Sequence, residues 1–349
     1  MATAMTADTT PVIGFIGLGV MGGPMCRNMA LKHAGDVLAF DMSADAFKVL
    51  DGTKARRAST VAELAAQADV VFLSLPGGPQ VEQVCLGNTG LSSAARRPAI
   101  IVDLSTTTVA SARSVAERLA ALDVAFADAP VARTREAAQR GELSIMVGAD
   151  EALFARIEPL LRYIGSDVTR CGEVGCGQVV KLINNALVFE NTVALAEMMV
   201  LGERAGVDPA TLLDAVSKGS GDSFVLRNHG RKSMLPREFP EKAFPPEYAL
   251  KDLGYVLELA DQTGLDARVV ELAKRYYAAT ASGGWSGRYF PSVIALIDSG
   301  QGPAAVDAGA AVKAASAASA SSPANPAGQA SGTVSTATAP LEERSHANG

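Results

Sequence analysis

The sequence predicts an α/β protein in two parts: a doubly wound, mainly parallel sheet first, then a domain built only of helices. Three observations predict it. Apolar strand-like runs alternate with amphipathic helical stretches from Pro11 to about Cys171. A glycine-rich turn follows the first of those runs directly. Beyond Cys171 the pattern is helical and no convincing strand returns. Strands separated by helices build βαβ units, and therefore parallel pairing.

Taken in order, the first ten residues read as disordered. The runs VIGFI (12–16), VLAF (37–40), VVFLSL (70–75), AIIVDL (99–104), VAFADA (124–129) and LSIMVG (143–148) read as buried strands. Helical periodicity covers 20–34, 60–67, 108–121 and 150–162, and Thr60 with Glu63 forms a capping box at one helix start. A long apolar helix is expected over 178–205, stopped by Gly206, with further helices over 209–217, 246–263 and 266–281. From Gly302 onward the chain is rich in Ala, Ser, Pro, Gly and Thr and has too little apolar surface to fold, so a disordered tail is expected. The expected divisions are 1–10, a sheet domain over 11–174, a helical domain over 175–301, and a tail over 302–349.

Composition narrows the function. The 349 residues are 48% hydrophobic, enough for two ordinary cores. A formal net charge of −6 speaks against nucleic acid, which calls for a basic face. The apolar runs fall short of a membrane span, and MATAMTADTT has neither a basic n-region nor an apolar h-region. The four cysteines, Cys26, Cys85, Cys171 and Cys176, read as free thiols of a cytoplasmic protein; Cys171 and Cys176 lack a second Cys or His pair, so no metal is expected.

The glycine-rich turn is Gly17-x-Gly19-x-x-Gly22, placed between a strand and a helix as dinucleotide binding requires. Gly17 permits the tight turn, Gly19 lets backbone approach a pyrophosphate, and Gly22 allows close helix–strand packing. Leu18 and Met21 complete the turn and are grouped with the glycines as cofactor contacts. Asp41, 22 residues beyond Gly19, ends the second strand. A carboxylate there accepts from adenine ribose hydroxyls and repels a 2′-phosphate, and no Arg follows in DMSADAF, so NAD is favoured over NADP. Leu75 and Pro76 in SLPGG either pack beside the adenosine half or simply make a turn.

At the chemical end, VDLSTTT places Ser105 and Thr106 where a nicotinamide would lie, while Thr107 or Thr108 reads as a helix cap; Ser105 is open to either a structural or a substrate role. In GCGQVVKLINN, Lys181 and Asn185 lie four residues apart on one helix face, with Asn184 beside them. Lys181 sits among Val, Leu and Ile. Partial burial would lower its pKa toward neutrality, although a lysine can also snorkel to water.

With those residues in view, the chain resembles the β-hydroxyacid dehydrogenase family, which includes 3-hydroxyisobutyrate dehydrogenases and tartronate semialdehyde reductases. The motifs GFIGLGVMGGPM, DLSTTT, DAPV…GELSIMVG, GCGQVVKLINN and KDLGYVLELA occur in the family's order over about residues 11–300. The resemblance implies a Rossmann dinucleotide-binding domain and an all-helical C-terminal domain joined by a long helix. It implies reversible, NAD(P)-linked oxidation of a small β-hydroxy acid to its semialdehyde. Lys181 matches the family's catalytic lysine and Asn185 its substrate-orienting asparagine. Lys251 and Asp252 match the motif that closes the site, Lys251 toward both substrate and cofactor. The lysine separates the chain from the related imine reductases.

One loop departs from the family. Where most members carry Ser-Gly-Gly after DAPV, this chain has Ala132-Arg133-Thr134. A guanidinium fork suits an oxyanion, so Arg133 and Thr134 are expected to hold the acid group of a small anionic substrate. The loop resembles the Gly-Arg-Thr version of 3-sulfolactaldehyde reductases, which keeps a sulfonate substrate as the alternative. Trp285, Tyr289 and Phe290 stand where the family has an aspartate, either lining the site or packing in the core. A non-catalytic NAD-binding sensor is the alternative of another class, but it has no need of Lys181 and Asn185 together. The long apolar helix predicts a homodimer or homotetramer.

Overall fold

A computed structural model describes residues 10–241, 243–300 and 302. Apart from residues 10 and 302, the two segments expected to be disordered lie outside the described residues. Nine strands form one sheet among the described residues: β1 (Ile13–Ile16), β2 (Val37–Phe40), β3 (Arg56–Arg57), β4 (Val70–Leu73), β5 (Ile100–Asp103), β6 (Ala125–Asp128), β7 (Val131–Ala132), β8 (Leu143–Gly148) and β9 (Gly165–Gly172). The order β3-β2-β1-β4-β5-β6 is parallel throughout and reverses direction between β1 and β4. That reversal is the switch point outside which doubly wound sheets bind their ligands. Beyond β6, strand β8 runs antiparallel to both β6 and β7, and β9 pairs with β8 in parallel.

Each central strand is apolar on both faces because helices cover both. Val70 and Phe72 join one core with α1 (Gly22–Lys32) and, further along the chain, α5 (Arg135–Arg140) and α6 (Glu151–Leu161). Val71 and Leu73 join the other, with α2 (Val61–Gln67), α3 (Gly78–Leu86) and α4 (Val109–Ala120). Register aligns Phe40, Ile16, Leu73, Asp103 and Asp128 in one row, so the carboxyl ends of five strands make a single edge.

From that edge springs α7 (Cys176–Arg204), 29 residues long and about 44 Å at 1.5 Å per residue. It packs against β8 and β9 at one end and against α9 (Pro246–Thr263), α10 (Arg268–Thr280) and α11 (Val293–Asp298) at the other. Helix α8 (Pro209–Val216) packs beside its far end. Contrary to the sequence reading of the apolar runs, α7 is long and apolar enough to cross a membrane by length and composition. In the fold it lies between the sheet and the helical lobe, with Lys181 and Asn185 buried on its inner face.

The sequence pattern missed β3, β7, β9, α3, α5 and α11; β7, α5 and α11 span two, six and six residues, too short for a period to show. Strands β3 and β9 are exposed edge strands without an apolar stripe, and α3 begins inside a Pro-Gly segment that reads as a turn, with Pro79 in its first turn where a missing N–H is harmless.

Candidate active site

The glycine-rich turn divides its labour by geometry. Gly17 has φ +96°, and a Cβ there would meet Ser74 O at 2.2 Å. At Gly22 a Cβ would meet Gly17 O at 2.0 Å. Both glycines are therefore required by the fold itself. Gly19 is different: a Cβ there meets nothing within 4 Å, so its backbone faces open space at the head of α1. The first turn of α1 carries no acidic side chain to oppose an anion. Exposed backbone and a helix N-terminus free of negative charge fit a pyrophosphate. Leu18 is buried, and its N–H donates to Asp41 Oδ2 at 2.7 Å; Ser43 N–H donates to the other oxygen at 2.8 Å. Asp41 thus stands just past β2 with its carboxylate locked beside the turn. Met21 is the N-cap residue of α1, and Leu75 lies 3.3 Å from the Cβ position of Gly17.

Lys181 and Asn185 project from the same face of α7, and each is only 8% exposed. Burial pulls the Lys181 ammonium from its ordinary 10.5 down to about 8; the Asp252 carboxylate opposes the fall and the Lys251 ammonium adds to it. The Asn185 amide is held at both ends: Nδ2 donates to Asp252 Oδ2 at 2.7 Å, and Oδ1 accepts from Asn184 Nδ2 at 3.1 Å. Asp252 comes from α9, 67 residues along the chain, and is 2% exposed. Its neighbour Lys251 lies 3.3 Å from Asp252 Oδ1 and donates to Pro76 O at 3.2 Å. The helical lobe therefore reaches across to the strand-end loop that holds Leu75 and Pro76. With both lysines protonated, the two ammonium groups outnumber the one carboxylate, an electrostatic setting for a small anion.

Other expected residues take structural bonds. The Ser105 hydroxyl accepts from Leu75 N–H at 2.9 Å, and Ser105 is 4% exposed. Its side chain braces two strand-end loops, a structural role for this hydroxyl. Thr106 is half-buried beside it. Arg133, expected to hold the acid group, has three of its five guanidinium N–H donors committed to protein groups. Nη1 donates to Glu142 O at 2.6 Å and Ser166 Oγ at 2.9 Å, and Nη2 donates to Asp167 Oδ2 at 2.6 Å. Arg133 keeps the backbone shape of the glycine it replaces, with φ +86°. Thr134 caps α5, its hydroxyl accepting from Ala137 N–H at 3.4 Å. At the end of α5, Arg140 pairs with Glu142, 2.7 Å apart.

Trp285 packs on Phe239, ring centroids 5.5 Å apart, beside Arg237 and Asp298. Arg237 pairs with Glu203 in the last turn of α7, so Trp285 sits far from Lys181. Phe290 packs on Phe189 and on His229, whose Nδ1 is 2.8 Å from the Tyr289 hydroxyl. These aromatics build the core of the helical lobe. Two carboxylates escaped the sequence reading. Asp103 and Asp128 face each other in the ladder at the strand ends. Burial pushes Asp103 up to about 7, against its bonds to Ser105 and with the Asp128 charge adding to the rise. Burial pushes Asp128 up to about 6, against the N–H groups of Gly175 and Gln178 that it accepts at 2.7 Å each. In the sequence they stand at the ends of predicted strands and open the motifs DLSTTT and DAPV.

Comparison with known proteins places this geometry. Residues 12–172 match the family described as the NAD binding domain of 6-phosphogluconate dehydrogenase. Residues 175–297 match the one described as NAD-binding of NADP-dependent 3-hydroxyisobutyrate dehydrogenase. The 2-(hydroxymethyl)glutarate dehydrogenase of Eubacterium barkeri is 35% identical, over 76% of this chain and 87% of that protein. The 2-hydroxy-3-oxopropionate reductase of Escherichia coli is 33% identical, over 78% of this chain and 92% of the relative. Among solved structures, the 3-hydroxyisobutyrate dehydrogenase of Mycobacterium tuberculosis with L-serine superposes with a TM-score of 0.75 at 29% identity, covering 83% of this chain and 99% of that one.

Proposed function

The chain belongs to the β-hydroxyacid dehydrogenase family, an oxidoreductase using a nicotinamide dinucleotide, and on that premise we propose that it interconverts a 2-substituted 3-hydroxypropanoate and its semialdehyde. The observation that carries this reading is the buried Lys181, one helical turn from an Asn185 whose amide is fixed by Asp252. The named relatives support this substrate class. 2-(Hydroxymethyl)glutarate, 3-hydroxyisobutyrate and the glycerate formed by reducing 2-hydroxy-3-oxopropionate share one unit, a CH₂OH group on the carbon that bears the carboxylate.

When bound, the dinucleotide accepts hydride from the alcohol carbon or returns it to the aldehyde. The protein's own residues do the rest. In oxidation, neutral Lys181 takes the hydroxyl proton; in reduction, its ammonium polarises the aldehyde oxygen and then donates a proton to it. General acid–base help of this kind contributes about 10²–10⁴-fold. Asn185 has one N–H and one lone pair left after its bonds to Asp252 and Asn184, and it orients the reacting oxygen. Lys251, joined in reduction by the Lys181 ammonium, supplies positive charge for the substrate's acid group. The Arg133 guanidinium, bonded to protein groups, is given no part in this reading, so a carboxylate is preferred to the sulfonate alternative.

Gly17, Gly19, Gly22 and the N-terminus of α1 would hold the pyrophosphate, with Leu18, Met21, Leu75 and Pro76 around the adenosine half and Thr106 near the nicotinamide. NAD is the proposed cofactor because the Asp41 charge opposes a 2′-phosphate. Assembly as a homodimer or homotetramer is proposed from Ile183, Leu187, Met198 and Leu201, apolar residues of α7 that stand more than half exposed; sedimentation velocity checks it.

Absorbance at 340 nm with NADH or NADPH tests the reaction against methylmalonate, tartronate and succinate semialdehydes and sulfolactaldehyde. 3-Hydroxyisobutyrate and 2-(hydroxymethyl)glutarate with NAD test the reverse direction. The reading expects NAD to outperform NADP and a 2-substituted 3-hydroxypropanoate or its semialdehyde to give the highest kcat/KM. A clear preference for sulfolactaldehyde would overturn the substrate class.

A further inference from the structure

Gln178 is fully buried, three residues before Lys181 in the first turns of α7. Its amide bonds at both ends to a single loop, the one joining β5 to α4. Nε2 donates to Ser105 O at 2.9 Å, and Oε1 accepts from Thr107 N–H at 3.1 Å. The loop it grips borders the carboxyl edge of the sheet and is tied through the Ser105 hydroxyl to Leu75 on the neighbouring loop. The main chain of α7 is anchored separately: the N–H groups of Gly175 and Gln178 donate to the two oxygens of Asp128. At Gly177 a Cβ would lie 2.4 Å from Met146 O, so the helix start sits directly on β8.

We propose that Gln178 is a positioning residue for Lys181. Its side chain fixes the helix that carries the amine against the loop that borders the dinucleotide crevice, and it keeps water out of the space around that amine. Packing alone would be served as well by a methionine of similar size. An amide bonded at both ends instead sets the height and rotation of α7 relative to the loop, and leaves two buried backbone groups unpaired if removed. Misplacing a reacting group by about 1 Å costs as much as 10²-fold in rate. The proposal rests on the reading of Lys181 as the acid–base group.

The test compares Gln178→Met, Gln178→Glu and Lys181→Met with wild type, following oxidation of 3-hydroxyisobutyrate or 2-(hydroxymethyl)glutarate, whichever turns over faster, by NAD across pH 6–10. Gln178→Met removes both side-chain bonds but leaves the Asp128 anchor. It is expected to lower kcat by about tenfold or more and to move the acid limb of the profile upward from about 8, because a hydrated amine regains its proton. NADH affinity stays within about threefold, since the glycine turn is untouched. A protonated Gln178→Glu carboxyl copies the donor and acceptor of the amide. Its rate relative to wild type is therefore highest at pH 6 and falls as pH rises, and this variant decides the matter should Gln178→Met fail to fold. An unchanged kcat in Gln178→Met, or a lower kcat with the limb unmoved, overturns the proposal, as does a Gln178→Glu ratio that does not depend on pH. Loss of activity in Lys181→Met alongside an unaltered Gln178→Met rejects this proposal alone. Full activity in Lys181→Met rejects the acid–base reading and this proposal with it.

Discussion

Replacing Asp252 with asparagine removes one charge from the site while keeping a carbonyl oxygen that can still accept from Asn185. In the wild type, Lys181 sits at about 8 instead of 10.5. That fall makes the free amine roughly 300-fold more abundant at pH 7 than in an ordinary lysine, a difference of about 3 kcal/mol between the two protonation states. The Asp252 carboxylate works against the fall, so the amine drops further once that charge is gone. An adjacent opposite charge is worth at least about one pH unit to a buried group, which brings Lys181 to about 7. Oxidation needs the neutral amine, so the acid limb of kcat/KM for the alcohol should move down from about 8 to about 7. Reduction needs the ammonium, so its rate at pH 7.5 should fall. Both are read at 340 nm over pH 6–10. A limb that stays in place, or moves up, would refute the assignment of that limb to Lys181 and the electrostatic role given to Asp252.

Two further predictions follow from the same geometry. Gly19→Ala should fold with an unchanged Tm, because its Cβ meets no protein atom, yet weaken NADH by about tenfold or more, equivalent to about 1.4 kcal/mol. Gly17→Ala, clashing with Ser74 O, should lose stability instead; calorimetry and NADH fluorescence separate the two, and equal effects at both positions would count against the pyrophosphate assignment. Arg133→Gly should leave KM within about threefold and change stability by no more than about 1 kcal/mol, since it gives up an exposed ion pair with Asp167 but relieves a left-handed backbone. A tenfold rise in KM would return Arg133 to the substrate.

The residues that were legible in the sequence carry local signals. The strand, glycine turn and helix around Gly17, Gly19 and Gly22 lie within one short segment, and α7 declares itself by unbroken apolar periodicity, expected over 178–205 and found over Cys176–Arg204. Lys181 and Asn185 are one helical turn apart, so their common face follows from spacing alone. What escaped depends on how distant segments register. Arg133 reads as a free guanidinium until β9 delivers Ser166 and Asp167 beside it, 33 and 34 residues on. Ser105 reads as a free hydroxyl until β4 brings the N–H of Leu75 to it. The bond from Asn185 to Asp252 spans 67 residues and that from Gln178 to Ser105 spans 73. No local pattern encodes either, because each exists only once α7 is seated between the sheet and α9.

Lys181→Met tests the acid–base role of the buried amine directly. The variant keeps an unbranched side chain one heavy atom shorter, removes the amine, and leaves the glycine turn intact. NADH should bind with wild-type affinity by fluorescence while turnover of the best semialdehyde drops by about 10²–10⁴-fold. Turnover within a few-fold of wild type, with NADH bound normally, would contradict that role.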